Sequence, residues 1–414
     1  MKRFACISFM ALLIYSCKQE EIITQIPEPD PELPYEFVWK TALTNDTSMV
    51  TCMMPVVYNN QVFCSAAHLY DPAQFMLINQ DGFKYWVSDD DFEEDCSEPP
   101  VSITQATYQK DNLFAYLCNS DPRVIDLTNA QTIWHYEVPG ADHGVIMTGF
   151  GDLLFHTYVE GINPFTSSTL VKANIQDGVW DTIFSVVADT GGDNSIELIP
   201  PVATIYENDT LIFFHSRKLD FATFVGSADL YAYNLSADSL LWMVEKFDNY
   251  SSATPWSPIV YDNTVIVQTE NRILCYDMLT GEQIWTWQSL YLDEDLRLTQ
   301  LLVHNDVLYF KPYGEHFYAL NPKTGSQYWW QDGFGGYPSL IRVFENTIYL
   351  TNEYDNKLYA IDAALGTVMW TLSTPNSANL NTLSADFTDA PTFDPLTRRF
   401  YITDKYYLLC YQLK

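Results

Sequence analysis

One spacing constrains this chain more than any other feature: an Asp or Asn that ends an apolar, aromatic-rich run stands eight residues before a Trp, five times over. The pairs are Asp126 and Trp134, Asn234 and Trp242, Asp277 and Trp285, Asn321 and Trp329, and Asp362 and Trp370. Three copies also carry Gly four residues before the Trp, at Gly281, Gly325 and Gly366. Shorter copies end at Trp86, after Asn79, and at Trp180, after Asn174. The chemistry of the unit reads directly. A strand-terminal carboxylate or amide accepts a backbone N–H two residues on, and Gly tolerates positive φ, so together they specify a tight turn between antiparallel strands. The Trp then brings a large apolar surface that the next layer must cover.

Around this unit the sequence reads as all-β, with short runs rich in Val, Ile, Tyr, Phe and Thr broken by Asn, Asp and Gly. In the clearest copy, strands at 258–261, 264–269, 272–277 and 282–287 give four strands in one short segment. Successive Trp residues from Trp86 to Trp370 lie 48, 46, 62, 43, 44 and 41 residues apart, close to the period of a propeller blade apart from one long interval. A lone four-stranded sheet cannot bury both faces, whereas sheets stacked radially cover one another and keep only short edges. The expected architecture is therefore a β-propeller.

The ends complete the count. The segment 406–412 is a third strand with no Trp strand after it, and the segment 35–40, with Trp39, is a Trp strand with nothing before it. Joining the two closes the ring and removes an open edge. Trp39, Trp86, Trp134, Trp180, Trp242, Trp285, Trp329 and Trp370 then mark eight blades; the count is seven if the stretch around Trp180 is not a full sheet.

The runs from Arg272 through Asp277 and Gly281 to Trp285, and from Lys357 through Asp362 and Gly366 to Trp370, resemble the PQQ-like propeller repeat. That repeat is found in quinoprotein dehydrogenases and in BamB-type outer-membrane assembly lipoproteins. The resemblance is strongest from about residue 229 onward and extends more weakly over 35–228. The dehydrogenases imply a PQQ cofactor over calcium, a catalytic Asp and, in many members, a disulfide between adjacent cysteines. This chain has no adjacent cysteine pair, and no cofactor set aligns residue by residue, so the resemblance implies architecture and neither PQQ nor catalysis.

The N-terminus points to export. Lys2 and Arg3 precede an apolar stretch from Phe4 to Ile14, too short for a stable membrane span, so residues 1–16 read as a signal peptide. Ile14, Tyr15 and Ser16 before Cys17 resemble a lipobox, which makes Cys17 the lipidation site. Residues 17–34 form an acidic, Pro-rich tether with too few apolar side chains to pack, leaving 35–414 for the propeller. The acidic run after Cys17 resembles the surface-export signal of Bacteroidota lipoproteins. The expected location is the outer membrane, at the cell surface or on the periplasmic face, with a monomeric body held to the membrane only through its lipid.

A formal charge of −32 repels phosphate backbones, which excludes nucleic acid as a partner and leaves cationic groups. The seven His are scattered, with no metal-spaced pair; His135, His143 and His156 read as ordinary strand or loop residues. Gly191 and Gly192 have no following Lys and form no phosphate loop. The acidic runs 89–95 and 293–295 offer oxygen ligands for calcium but lack the Gly and spaced carboxylates of a calcium loop, so solvated charge is the favoured reading and no metal site is assigned. Cys275 and Cys410 stand where sibling repeats have Ala232, Ala319 and Ala360, and read as small core residues; Cys96 with Cys118 is the one pair worth testing as a bridge.

Loops joining the second and third strands share a face with those joining one blade to the next. The long fourth blade is expected to carry an inserted loop over 216–227, bearing Arg217, Lys218, Phe221 and Phe224, on the face where Trp256 and Tyr337 enter from inter-blade loops. Aromatics beside charges on loops suit recognition. The expected function is a non-catalytic envelope scaffold that docks a protein through this face. Surface glycan binding, suggested by the anchor and the 28 Tyr, is the alternative, and a PQQ-dependent oxidoreductase a further one.

Overall fold

The computed structural model describes residues 33–43, 55–66, 74–87, 107–118, 121–129, 131–136, 147–160, 166–188, 194–220, 223, 225–248, 254–291, 294–296, 299–336, 340–352, 355–375, 387 and 390–414. The expected signal, Cys17 and most of the tether fall outside them, as do Cys52, Cys96, the acidic run 89–95, Phe221, Phe224 and Tyr337.

Eight four-stranded antiparallel sheets make up the described chain, each with its strands in chain order except the last. Blades 1 to 7 span 56–87, 107–135, 147–187, 194–248, 259–288, 302–331 and 342–373. Blade 8 takes three strands from 392–413 and its fourth from Tyr35–Ala42, which pairs antiparallel with Tyr407–Leu413 in the register Tyr35↔Leu413 and Trp39↔Cys410. The ring is closed as the sequence implied. The region around Trp180 is a full sheet, so the count is eight and not seven.

Strand alternation builds the core. Successive side chains of a strand point to opposite faces, so in blade 5 Val265 and Val267 enter the core shared with blade 4 while Ile266 enters the core shared with blade 6. The same division gives eight buried clusters among the described residues, one at each blade interface, including that between blades 8 and 1. Cys275 and Cys410 are buried thiols in two of these clusters, and burial pushes the Cys275 thiol up to about 11 and that of Cys410 to about 12. Both should stay unreactive to a water-soluble disulfide reagent at neutral pH until the fold opens, because the thiolate is the nucleophile; labelling at the rate of an exposed thiol would contradict this placement.

The turn chemistry is as expected. Asp277 Oδ1 accepts the N–H groups of Leu279 (2.9 Å) and Thr280 (2.8 Å), and Asp362 Oδ1 those of Ala364 and Leu365, both at 2.9 Å. The glycines do a second job that spacing alone does not reveal. Gly325 has φ +69°, and a Cβ there would lie 2.6 Å from Cε3 of Trp285 in the preceding blade. Gly281 and Gly366 lie in the same way under Trp242 and Trp329. The indole N–H donates into the same turns, from Trp242 to Met278 O (3.0 Å) and from Trp285 to Pro322 O (3.0 Å). Each such Trp locks its blade onto the turn of the next.

Trp180 departs from this pattern. In blades 5, 6 and 7 a β-bulge places its extra residue just before the Trp, so that Trp285, Trp329 and Trp370 pair with Cys275, Ala319 and Ala360. In blade 3 the bulge falls instead at Ile183, and Trp180 pairs with Ala173, one step out of the equivalent position. A one-residue shift turns a side chain to the other face, so Trp180 looks backward, onto Trp134 (5.9 Å between ring centroids) and Tyr136 (5.3 Å) of blade 2. The following turn, in blade 4, has Asp238 at φ +52° where its siblings have Gly. No indole of blade 3 needs that space. For Trp86 the strand register matches the regular blades, with Leu77 opposite.

Candidate functional site

The face that carries the second-to-third-strand hairpins and the inter-blade connections stands on a ring of buried polar side chains. Opposite the residue four before the turn Asp or Asn stand Ser65, Thr157, His215, Gln268 and Thr351 in five blades and Leu117 in blade 2; in blade 8 Thr403 lies opposite Leu408, and in blade 6 Lys311 follows Phe310, the last paired residue of its strand. All eight are buried. Three of them take up the carbonyls of connections that have left the sheet ladder. Gln268 Nε2 donates to Thr299 O (2.8 Å), Lys311 Nζ to Gly336 O (2.9 Å), and His215 Nε2 to Thr254 O (2.9 Å). A buried polar group without a partner is costly, so these bonds fix the paths of the connections over the ring. The signal was present in the sequence as a polar residue closing an apolar run, in Val265 to Gln268 or Leu308 to Lys311, and it was missed.

His215 is fully buried, and burial lowers its pKa to about 4, with the Arg217 charge adding to the shift and the bond to Thr254 opposing it. The ring is therefore neutral at physiological pH, with Nε2 carrying the proton.

Blade 4 rises above this floor, though not as an inserted loop. Residues 216–220 and 225–227 continue two strands, Asp209–Asp220 and Val225–Asn234, whose ladder runs on through Lys218↔Ser227 to Asp220↔Val225. The first strand, Asn194–Tyr206, follows them outward with Asn194↔Asp220. The extra length was legible, but its form was set by cross-strand partners. Arg217 Nε donates to Glu197 Oε2 (3.0 Å), and Lys218 pairs with Asp229. Arg217 is thus held on the ladder and is not a free loop charge. Trp256, in the connection from blade 4 to blade 5, is only 5% exposed, so its ring is not the open contact surface expected of it. Between the projecting hairpin and the outer strand of blade 3 lies a cleft of about 290 Å³, with Val187, Ile196, Leu219 and Val225 among its lining beside Lys218 and Lys246. Val187 and Val225 are 70% and 59% exposed, large apolar side chains left at its mouth.

The acidic run 293–295 is not simply solvated charge. Glu294 is buried, and its carboxylate accepts Nδ1–H of His316 (2.6 Å), the hydroxyl of Tyr318 (2.8 Å) and that of Ser289. Partners more than twenty residues downstream satisfy it, which local sequence does not announce. Among the described residues no three His, Cys, Asp or Glu side chains converge as a metal ion would require.

Residues 272–396 match the family model described as "Outer membrane protein assembly factor BamB". The fold is an eight-bladed β-propeller, and its blades over 272–396 are similar to that family's repeat. BamB from Moraxella catarrhalis superimposes with a TM-score of 0.58 and 12% identity, over 91% of this chain and 99% of that one. Quinohemoprotein alcohol dehydrogenase from Comamonas testosteroni reaches 0.65 with 10% identity, over 91% and 76%. The computationally designed Ika8 protein reaches 0.58 with 11% identity, over 91% and 99%. No curated protein matches the sequence. An assembly factor, a dehydrogenase and a designed ring share this propeller's architecture at similar scores, so the shape alone selects no activity.

Proposed function

We propose that this chain is a non-catalytic, lipid-anchored scaffold of the cell envelope that docks a protein partner in the cleft beside the blade-4 hairpin. The observation that carries this reading is the hairpin itself. Two strands of ten and twelve residues project from a ring whose other second and third strands run to eight residues at most. Cross-strand ion pairs stiffen the projection, and exposed valines stand at the mouth of the cleft at its side. A rigid projecting ladder beside a notch of mixed polar and apolar lining presents a docking surface at little ordering cost. The match of 272–396 to the BamB model supports the envelope setting, with Cys17 as anchor and the outer membrane as location.

The residues do not fit a calcium-bound quinone. The described chain gathers no metal ligand set, and its described free cysteines are buried, Cys64 and Cys410 between blades 8 and 1 and Cys275 between blades 5 and 6. No cofactor enters the proposal.

A photoreactive residue at Val225 should crosslink to one protein partner in intact cells, and adding Val187→Asp to that chain should sharply reduce the crosslink with the unfolding midpoint unchanged. Crosslinking equal to that from an exposed site on blade 7, such as Leu365, would reject the cleft as the docking surface.

A further inference from the structure

A second surface, on the rim between blades 5 and 6, has the chemistry of a cation receptor. Three rings meet there. His316 stacks on Tyr291 with centroids 3.9 Å apart and planes at 19°, and Trp330 stands edge-on to His316 at 4.9 Å and to Tyr291 at 6.0 Å. Trp330 and Tyr291 are 41% and 36% exposed, and Tyr313 beside them is 39% exposed. The assembly is held from below. Glu294 fixes His316 through Nδ1, and Tyr318 and Ser289 fix Glu294, so the rings are positioned without a ligand.

The segments that carry the rings are themselves acidic. Asp332 is exposed just after Gln327–Gln331, the strand that carries Trp330, Glu315 is exposed next to His316 just before the strand Phe317–Leu320, and Asp295 is half-buried and bridged to Tyr313. Across the described residues of 289–296, 313–318 and 328–332 there is no Lys or Arg, on a chain of formal charge −32. An aromatic face attracts a cation through its quadrupole, and flanking carboxylates add to that attraction.

We propose that this rim seats the arginine or lysine side chain of a basic protein segment, with the cation against Trp330 and Tyr291 and the exposed carboxylates of Asp332 and Glu315 adding to the local negative potential. A saccharide is the less fitting occupant. The buried carboxylate that would be its best hydrogen-bond acceptor already takes three donors, and neutral hydroxyls gain nothing from the exposed acidic side chains. The rim lies away from the blade-4 cleft and its test needs no cellular partner, so it stands or falls separately from the docking reading above.

Calorimetric titration of the whole protein with a short Arg-Gly repeat peptide tests it. Binding should weaken about ten-fold in Trp330→Ala, recover in Trp330→Phe, weaken several-fold in Glu315→Gln combined with Asp332→Asn, and fade with added salt. Leu365→Ala, on blade 7, should bind as the unaltered protein does. Absence of binding to the unaltered protein, or equal affinity in Trp330→Ala, overturns the proposal. So does preferential binding of a neutral hexasaccharide that Trp330→Ala abolishes, which would give the rim to a glycan.

Discussion

Replacing Trp285 by Ala should destabilise the protein by about 3–5 kcal/mol, the range for emptying a large buried aromatic site. The indole is 8% exposed, fills the core between blades 5 and 6, and donates to Pro322 O. Its partner position makes the effect diagnostic. Gly325→Ala should cost about 2–4 kcal/mol, since the new Cβ meets the indole at 2.6 Å and the backbone sits at φ +69°, adding overpacking to strain. In a Trp285→Ala background the clash is gone and only the backbone strain persists, so the same change should cost about 1 kcal/mol there. Urea unfolding of the four proteins measures the difference. Strict additivity would mean that the glycine is required for its φ alone and that the docking of blade on blade has been misread.

The second large effect concerns acid. His215 is neutral in the fold with its pKa lowered to about 4, whereas in the unfolded chain it returns to about 6.5. Between those values the unfolded state binds the proton more readily, so the stability contributed by keeping His215 neutral is complete above pH 6.5 and disappears as pH falls toward 4. The full amount is about 3 kcal/mol, from 2.303RT multiplied by the shift. His215→Gln keeps a donor for Thr254 O and has nothing to titrate. Its stability should start lower at pH 7, because the ring's packing against Phe247 is lost, and then decline less steeply than that of the unaltered protein as the medium is acidified. Parallel declines would show that some other group governs the acid response.

What could be read in advance follows from how local each determinant is. The turn of Asp277, with its acceptor two and three residues from its donors, is complete within one short segment, and so the repeat and the ring it implies were open to reading. Ring closure was legible because the unmatched strand at 35–42 and the unmatched edge at 407–413 complement each other. Trp180 marked its blade, but the turn of its indole toward blade 2 was not legible, because a bulge belongs to a pair of strands and the shift from the position before the Trp to Ile183 leaves no trace in composition. The candidate contact residues fared worse for a related reason. Arg217 finds Glu197 across the ladder, Trp256 is buried within its own connection, and Glu294 meets His316 and Tyr318 of the next blade. Each depends on which strands become neighbours. The ring of polar residues from Ser65 to Thr403 was written at constant register and needed only strand alignment to appear.

The pairing of Tyr35 with Leu413 also orders events in time. Chains are made from the N-terminal end, so the first strand must wait, with its backbone donors and acceptors facing solvent, until nearly every later residue has been delivered. Seven sheets can stack in sequence through short-range contacts, but the seam can be sewn only at the end, and it joins the most distant pair of strands in the molecule. A ligand or chaperone that captured the waiting segment would hold the whole assembly ajar while leaving most of it folded.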